Sequence, residues 1–374
     1  MRRQISSALA GAALLAVASA GIGFDPLRAG EPGHGVADTT PAEILALRDA
    51  YRRVDENSYP AENPYSPAKA ELGQRLFFDP ILSGAGTMSC ASCHVPSQSW
   101  SDGRPRGVGE TGAIMKVRTP TLLDVAQIPI LGWDGKFDDL EDVAFTPITS
   151  PSAMNLPERV LIERLKSDPD YRRAFSAAFP ERVEAGQGGG QGAGKDASKN
   201  AGMDAAISRR TIELALATFQ RSIVSGQSPF DRWVLGDETA IDARAKAGFA
   251  VFNGKGQCAA CHSGWTFTDG SFQDIGVGTG DDIGRAVAFK NSEQLRYAFK
   301  TPTLRDVAER GPYMHDGSRA TLEDVIDLYD RGGIDRPSRS PSIKPLGLTE
   351  AEKRDLVAFL KTLTADVAGQ PRLN

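Results

Sequence analysis

The chain has 374 residues, enough for two domains with cores of their own, and a net charge of −5 from 43 lysines and arginines against 48 aspartates and glutamates. That balance argues against nucleic acid as a partner, because phosphate binding needs concentrated positive charge; electrostatic docking of a small redox protein stays open. Only four histidines are present, and two of them sit directly behind cysteine pairs, so a site built from a cluster of imidazoles is excluded.

The first predicted element is an export signal at residues 1–20. Arg2 and Arg3 form a positive start, Ala8 to Val17 an apolar run, and Ala18-Ser19-Ala20 a small-residue cleavage pattern. The run is too short to cross a bilayer comfortably, and no later stretch reaches spanning length. The expectation is a periplasmic protein with no membrane span in its mature chain. Residues 21–40 read as an irregular arm, and residues 41–54 as a first helix with Leu45, Leu47 and Tyr51 as its apolar side. Residues 68–78 form a helix presenting Leu72, Leu76 and Phe77. Residues 157–179 and 204–223 are helical by periodicity, the second through Ile207, Ile212, Leu216 and Phe219. Between them, residues 186–200 are rich in glycine and read as a surface loop. Residues 243–252 are the helix before the second cysteine pair. Residues 348–362 close the chain as a helix, with Thr349 and Glu352 at capping-box spacing.

The cysteines occur as Cys90-Ala91-Ser92-Cys93-His94 and Cys258-Ala259-Ala260-Cys261-His262. C-x-x-C-H is the attachment signature of c-type haem. Two thiols add across the porphyrin vinyl groups, and the adjacent imidazole reaches the iron. A redox-active dithiol and a structural zinc site are the competing readings. Two complete copies behind an export signal leave both little room. The cofactor expectation is therefore two covalently bound haems c, with His94 and His262 as iron ligands. His34 and His315 are the remaining histidines.

An internal repeat follows the two motifs. Residues 119–143 (TPTLLDVAQIPILGWDGKFDDLEDV) and 301–325 (TPTLRDVAERGPYMHDGSRATLEDV) match without a gap at 13 of 25 positions. The chain thus reads as two related haem domains whose equivalent positions can be compared. Trp133 falls opposite His315, and four residues beyond the repeat Pro147 falls opposite Tyr329. Proline offers iron no side-chain ligand, whereas a tyrosinate does. One haem would then be open and the other closed. Tyr329 has a second reading, as an ordinary buried tyrosine on a helix face. His315 reads either as an iron ligand or as part of a turn at the haem edge, bonded to a propionate or to Asp316; its equivalence to Trp133 favours the turn. Trp133 reads either as core packing or as an aromatic placed between the haems.

These pieces make the chain resemble the bacterial di-haem cytochrome c peroxidase family and its MauG branch. The resemblance rests on LGQRLFFDPILSGAGTMSCASCH at 72–94, TPTL at 119–122, WDG at 133–135 and CAACH at 258–262. FKTPTLRDVAERGPYMHDGS at 299–318 and TLEDVIDLYDRGG at 321–333 extend it across most of the chain. It implies a mainly α fold of two cytochrome c-like domains whose haems face a shared interface. The domains are expected at residues 41–235, with the peroxidatic haem, and 236–366, with the higher-potential electron-transfer haem. By the same resemblance Tyr329 closes the second haem, as in MauG-like members, where other members use methionine. Trp133 matches a tryptophan lying between the haems, and Pro147 a distal-pocket proline.

Departures from the family pattern accompany it. No histidine occurs between Ser97 and Arg118, where peroxidase-type members have one. The glutamate usual a few residues after the proline is Ala153, so Glu110 becomes the candidate acid–base group. The asparagine that contributes to an interhaem calcium site is Arg118, which leaves calcium doubtful. The tryptophan that MauG carries before its second haem motif is missing from Gly254, Lys255, Gly256 and Gln257. The leading expectation is a di-haem peroxidase reducing hydrogen peroxide with electrons from a small cytochrome or copper protein. The alternatives are a MauG-like enzyme oxidising tryptophan or tyrosine of a protein substrate, and a non-enzymatic electron-transfer cytochrome.

Overall fold

A computed structural model of the chain describes residues 41–54, 59–187, 195–366 and 370–371. The export signal, the arm through residue 40 and His34 lie outside these residues. Among the described residues no helix is long and apolar enough to cross a membrane.

Helices carry the architecture. The first half is built from α1 (Pro41–Asp49), α2 (Pro67–Phe78), α3 (Leu140–Thr149), α4 (Glu158–Ser167), α5 (Pro169–Ala178), α6 (Pro180–Gln187), α7 (Lys195–Ala205) and α8 (Arg209–Arg221). The second half follows with α9 (Pro229–Val234), α10 (Ala243–Asn253), α11 (Leu322–Arg331) and α12 (Glu350–Lys361). Two short antiparallel pairs tie loops together: β1 (Ile223–Val224) with β4 (Gln370–Pro371), and β2 (Phe272–Gln273) with β3 (Phe299–Lys300). Most helix starts follow local chemistry. Ser66 accepts from the Lys69 N–H with Pro67 in the first turn, and Thr349 and Glu352 form the expected capping box.

The structure divides the expected helix over 157–179 at Asp168. Its carboxylate accepts from the Asp170 and Tyr171 N–H groups, and Pro169 starts the new helix. A proline suits a first turn, but its ring excludes the residue before it from helical backbone. The expected loop over 186–200 is also shorter than its composition implies. Both α6 and α7 run into it, and residues 188–194 lie outside the described residues. Glycine serves contact here: a Cβ on Gly186 would lie 2.9 Å from the Gly202 Cα, so the two helices approach over these bare positions.

The duplication appears in the packing. In the first half α2 crosses α8 at Gly73, where an added Cβ would stand 2.0 Å from the Ala215 carbonyl oxygen. In the second half α10 crosses α12 at Gly248, 1.9 Å from the Asp355 carbonyl by the same measure. Each crossing supports an aromatic core. Phe77, Trp100 and Phe219 meet in the first, and Phe252, Phe267 and Phe359 in the second.

One assignment by chain order differs from the packing. Residues 41–54 were expected with the first domain, yet Tyr51 stacks on Phe267 at 4.9 Å and meets Phe230 and Phe249 edge-on. Its hydroxyl donates to Asn253, and Arg48 pairs with Glu238. The start of the described chain therefore crosses to the second half, while Leu47 stays exposed. Likewise α9, expected with the first domain, packs on the second half through Phe230 on Phe359 and through the buried Arg305–Asp231 pair.

Candidate haem-binding site

Each C-x-x-C-H motif is one tight turn, Cys90–Ser92 or Cys258–Ala260, that brings the following histidine back toward its cysteines. In both, the histidine N–H donates to the carbonyl of the first cysteine at 2.9 Å. His94 Nδ1 is bonded to the Trp100 carbonyl at 3.1 Å, and His262 Nδ1 to the Phe267 carbonyl at 2.8 Å. Trp100 and Phe267 are buried and hold left-handed backbone, with φ of 59° and 53°. That turn points the carbonyl at the ring.

The TPTL repeat grips this turn. Thr121 Oγ1 donates to the Ser99 carbonyl at 2.6 Å, and Thr303 Oγ1 to the Thr266 carbonyl at 2.6 Å. These are the residues immediately before Trp100 and Phe267. The hydroxyls also accept from the Leu123 and Arg305 N–H groups. Asp124 and Asp306, equivalent in the repeat, share left-handed backbone at φ 54° and 53°. The repeated sequence is therefore the support that orients each histidine. Sequence reasoning missed Trp100 and Phe267, because they act through backbone carbonyls.

Both motifs open on one cavity of about 780 Å³, at the large end of the range for small-molecule sites. His94 and Pro147 line it from the first half, His262 and Tyr329 from the second, with Trp133 and His315 on its wall. The residues fit a haem at each motif. Burial lowers the pKa of both histidines, which keeps the imidazoles neutral, and the bond at Nδ1 commits each to presenting Nε2. None of the four cysteines is paired in a disulfide. Burial pushes Cys90 and Cys258 up to about 12 and Cys261 to about 11. A redox dithiol needs the opposite shift. Among the described residues no cluster of three histidine, cysteine or acidic side chains could hold a metal alone. The buried Nε atoms of Arg118 and Arg310, both cavity-lining residues, have no protein partner and suit carboxylates such as haem propionates.

The two sides of the cavity differ at equivalent positions of the repeat. Pro147 sits inside α3, whose Glu141 is clamped by Arg221 of α8 at 2.6 and 2.8 Å. Tyr329 lies on α11, and burial pushes its phenol well above the ordinary range, with the Cys258 and Cys261 thiols adding to the shift. The phenol stays protonated unless a strong positive centre stands beside it.

Three candidate residues have partners now on view. Trp133 is half-buried; its indole N–H donates to the Arg118 carbonyl at 3.0 Å, and its ring meets His315 edge-on at 6.4 Å. His315 is buried, stacks on Phe299 at 3.5 Å and engages Asp282 at 2.7 Å. The expected partner Asp316 instead accepts from the Ser318 N–H in a turn. Glu110 is not among the cavity-lining residues. Its carboxylate accepts from the Ala85 N–H and the Thr87 hydroxyl. Desolvation raises its pKa, but these bonds and one from Ser83 together outweigh it, so the pKa is lowered. The geometry therefore does not support Glu110 as the acid–base group. Only its backbone reaches the pocket side, through the Ala153 carbonyl at 2.8 Å.

Calcium does not fit the interdomain centre. It requires six to eight oxygen ligands, and at position 118 a buried guanidinium already donates to the Arg310 carbonyl at 2.8 Å.

Known proteins share most of this frame. Residues 67–239 match the family model of di-haem cytochrome c peroxidase, and residues 245–364 that of cytochrome c. The methylamine utilization protein MauG of Methylorubrum extorquens is 47% identical over 333 residues, covering 89% of this chain and 88% of that protein. Cytochrome-c peroxidase IdrP1 of Denitromonas iodatirespirans is 33% identical over 342 residues, covering 82% and 84%. A crystal structure of a MauG-like protein associated with microbial copper homeostasis superposes with a TM-score of 0.74 at 30% identity, covering 86% of this chain and 96% of that one.

Proposed function

The chain belongs to the di-haem cytochrome c peroxidase family, and from that premise we propose that it is a periplasmic peroxidase that reduces hydrogen peroxide on the His94 side of the cavity. The observation that carries the reading is the unequal pair that lines the cavity, Pro147 from the first half and Tyr329 from the second. Residues 1–20 direct export, and both haems attach covalently through Cys90, Cys93, Cys258 and Cys261. Each haem, when bound, supplies an iron that exchanges one electron at a time.

His94 and His262 would hold the irons, with their rings fixed by the Trp100 and Phe267 carbonyls. Pro147 presents no donor atom and leaves room for peroxide. Tyr329 presents a phenolic oxygen that would serve as the protein ligand closing the second site. Trp133, held at its N–H by the Arg118 carbonyl, supplies an oxidisable ring between the two halves. Electrons come from a small cytochrome or copper protein. A second reading has its own support: Tyr329 and the 47% identity to MauG favour oxidation of tryptophan or tyrosine on a protein substrate.

Optical and EPR spectra of the oxidised and reduced protein, before and after peroxide, test the reading. One high-spin and one low-spin haem are expected, with peroxide acting on the high-spin signal. Two low-spin haems that peroxide leaves unmoved in either redox state would overturn it. Tyr329→Phe is expected to change the low-spin signal alone.

A further inference from the structure

The two halves meet through a repeated exchange. The Arg118 N–H donates to the His315 carbonyl at 2.9 Å, and the Lys300 N–H to the Trp133 carbonyl at 2.8 Å. Arg118 and Lys300 are equivalent in the repeat, each standing just before its TPT. Their side chains cross as well. Arg118 Nη2 donates to the Arg310 carbonyl at 2.8 Å, and Lys300 Nζ to the Ile130 carbonyl at 3.2 Å. Each half thus sends a cation to a backbone oxygen of the other.

These charges stand in a poor place for an additional ion; the guanidinium is permanent, while burial lowers the Lys300 ammonium to about 8. Arg118 and Arg310 are 6% and 7% exposed; burial lowers the basicity of both, and Arg118 lowers that of Arg310 further. Asp102 offsets part of the charge on Arg118, and Asp282 is engaged by His315. A divalent cation placed among them would meet repulsion from two guanidinium groups and would find the Arg310 carbonyl already taken.

We propose that Arg118 is the resident cation of the interdomain centre, with Lys300 its counterpart from the other half, so that the two halves assemble without a calcium ion. A covalently held charge takes the place of a dissociable one. The inference rests on both haems being bound beside this centre. Haem content, measured first by the pyridine haemochrome, separates failure of that reading from failure of this one.

The test uses the holoprotein, purified in calcium and then treated with EGTA. Metal analysis is expected to find calcium far below one ion per chain, with the thermal midpoint and both haem spectra unchanged by chelation. Calcium retained near one per chain would overturn the proposal. So would a chelation-induced shift that calcium, but not magnesium, reverses. Arg118→Asn removes the charge and supplies a neutral oxygen donor. Its midpoint potentials at both haems are expected to move negative, because a buried positive charge favours the electron-richer state, and Arg118→Lys is expected to move them less. Unchanged potentials in Arg118→Asn would also overturn it. If that variant does not fold, metal analysis of the wild type still decides.

Discussion

At the scale of single residues, the histidine supports make the sharpest claims. Thr303 Oγ1 holds the Thr266 carbonyl, and the next carbonyl, of Phe267, fixes His262. Thr303→Val is expected to cost about 0.5–1.5 kcal/mol. Loosening the bond that raises imidazole basicity should raise the second haem's midpoint potential and leave the first unmoved; spectropotentiometry reads both. Glu110→Gln is expected to change the rate of peroxide turnover by less than about twofold, since a general acid–base group would contribute about 10²–10⁴. A steady-state assay separates these outcomes. The C-x-x-C-H motifs and the 147/329 contrast were legible in the sequence, because each depends on side-chain identity. The partners at Trp100 and Phe267 were not. A backbone carbonyl has no letter of its own, and left-handed backbone at a large aromatic residue carries no compositional signal.

Among the elements, α3 matters most, since it carries Pro147 and is fixed by one buried ion pair. Asn63 also donates to Glu141, at 2.8 Å, so the carboxylate is held from two directions. Glu141→Leu strands Arg221 and is expected to cost about 3–5 kcal/mol in urea denaturation; pairing it with Arg221→Met should recover much of that loss. Periodicity at α2 and α8, the following cysteine motif at α10 and the capping pair at α12 gave their positions to within a few residues. Periodicity failed at Pro169, where a proline decided the outcome, and composition failed at Gly186, where a glycine contact did. Composition reports what a residue favours alone, while a bare Cα packed on another helix is a property of the pair.

For the whole molecule, the excursion of residues 41–54 onto the second half is the feature that chain order concealed. Amphipathicity predicted that Tyr51 is buried, but not against which core. Glu238 anchors this excursion, receiving bonds from Lys246, Arg48 and Trp233 that lower its pKa to about 2. A lowered carboxylate pKa contributes stability above the ordinary range near 4.5, and the contribution is lost as pH falls toward 2. Glu238→Gln is therefore expected to flatten the acid limb of a stability–pH profile between those values. Solvent screening limits its effect at neutral pH to about 1 kcal/mol or less.

The twice-used histidine support has an evolutionary consequence. When the same turn, threonine and left-handed aspartate serve both copies, the labour of seating a cofactor is done by shared scaffolding, and divergence is confined to what reaches the opposite face. One codon, at 147 or at 329, then decides whether that face offers a side-chain donor or none. A lineage built this way can exchange reactive and storage roles between its copies, or tune either alone, without redesigning the frame that holds them.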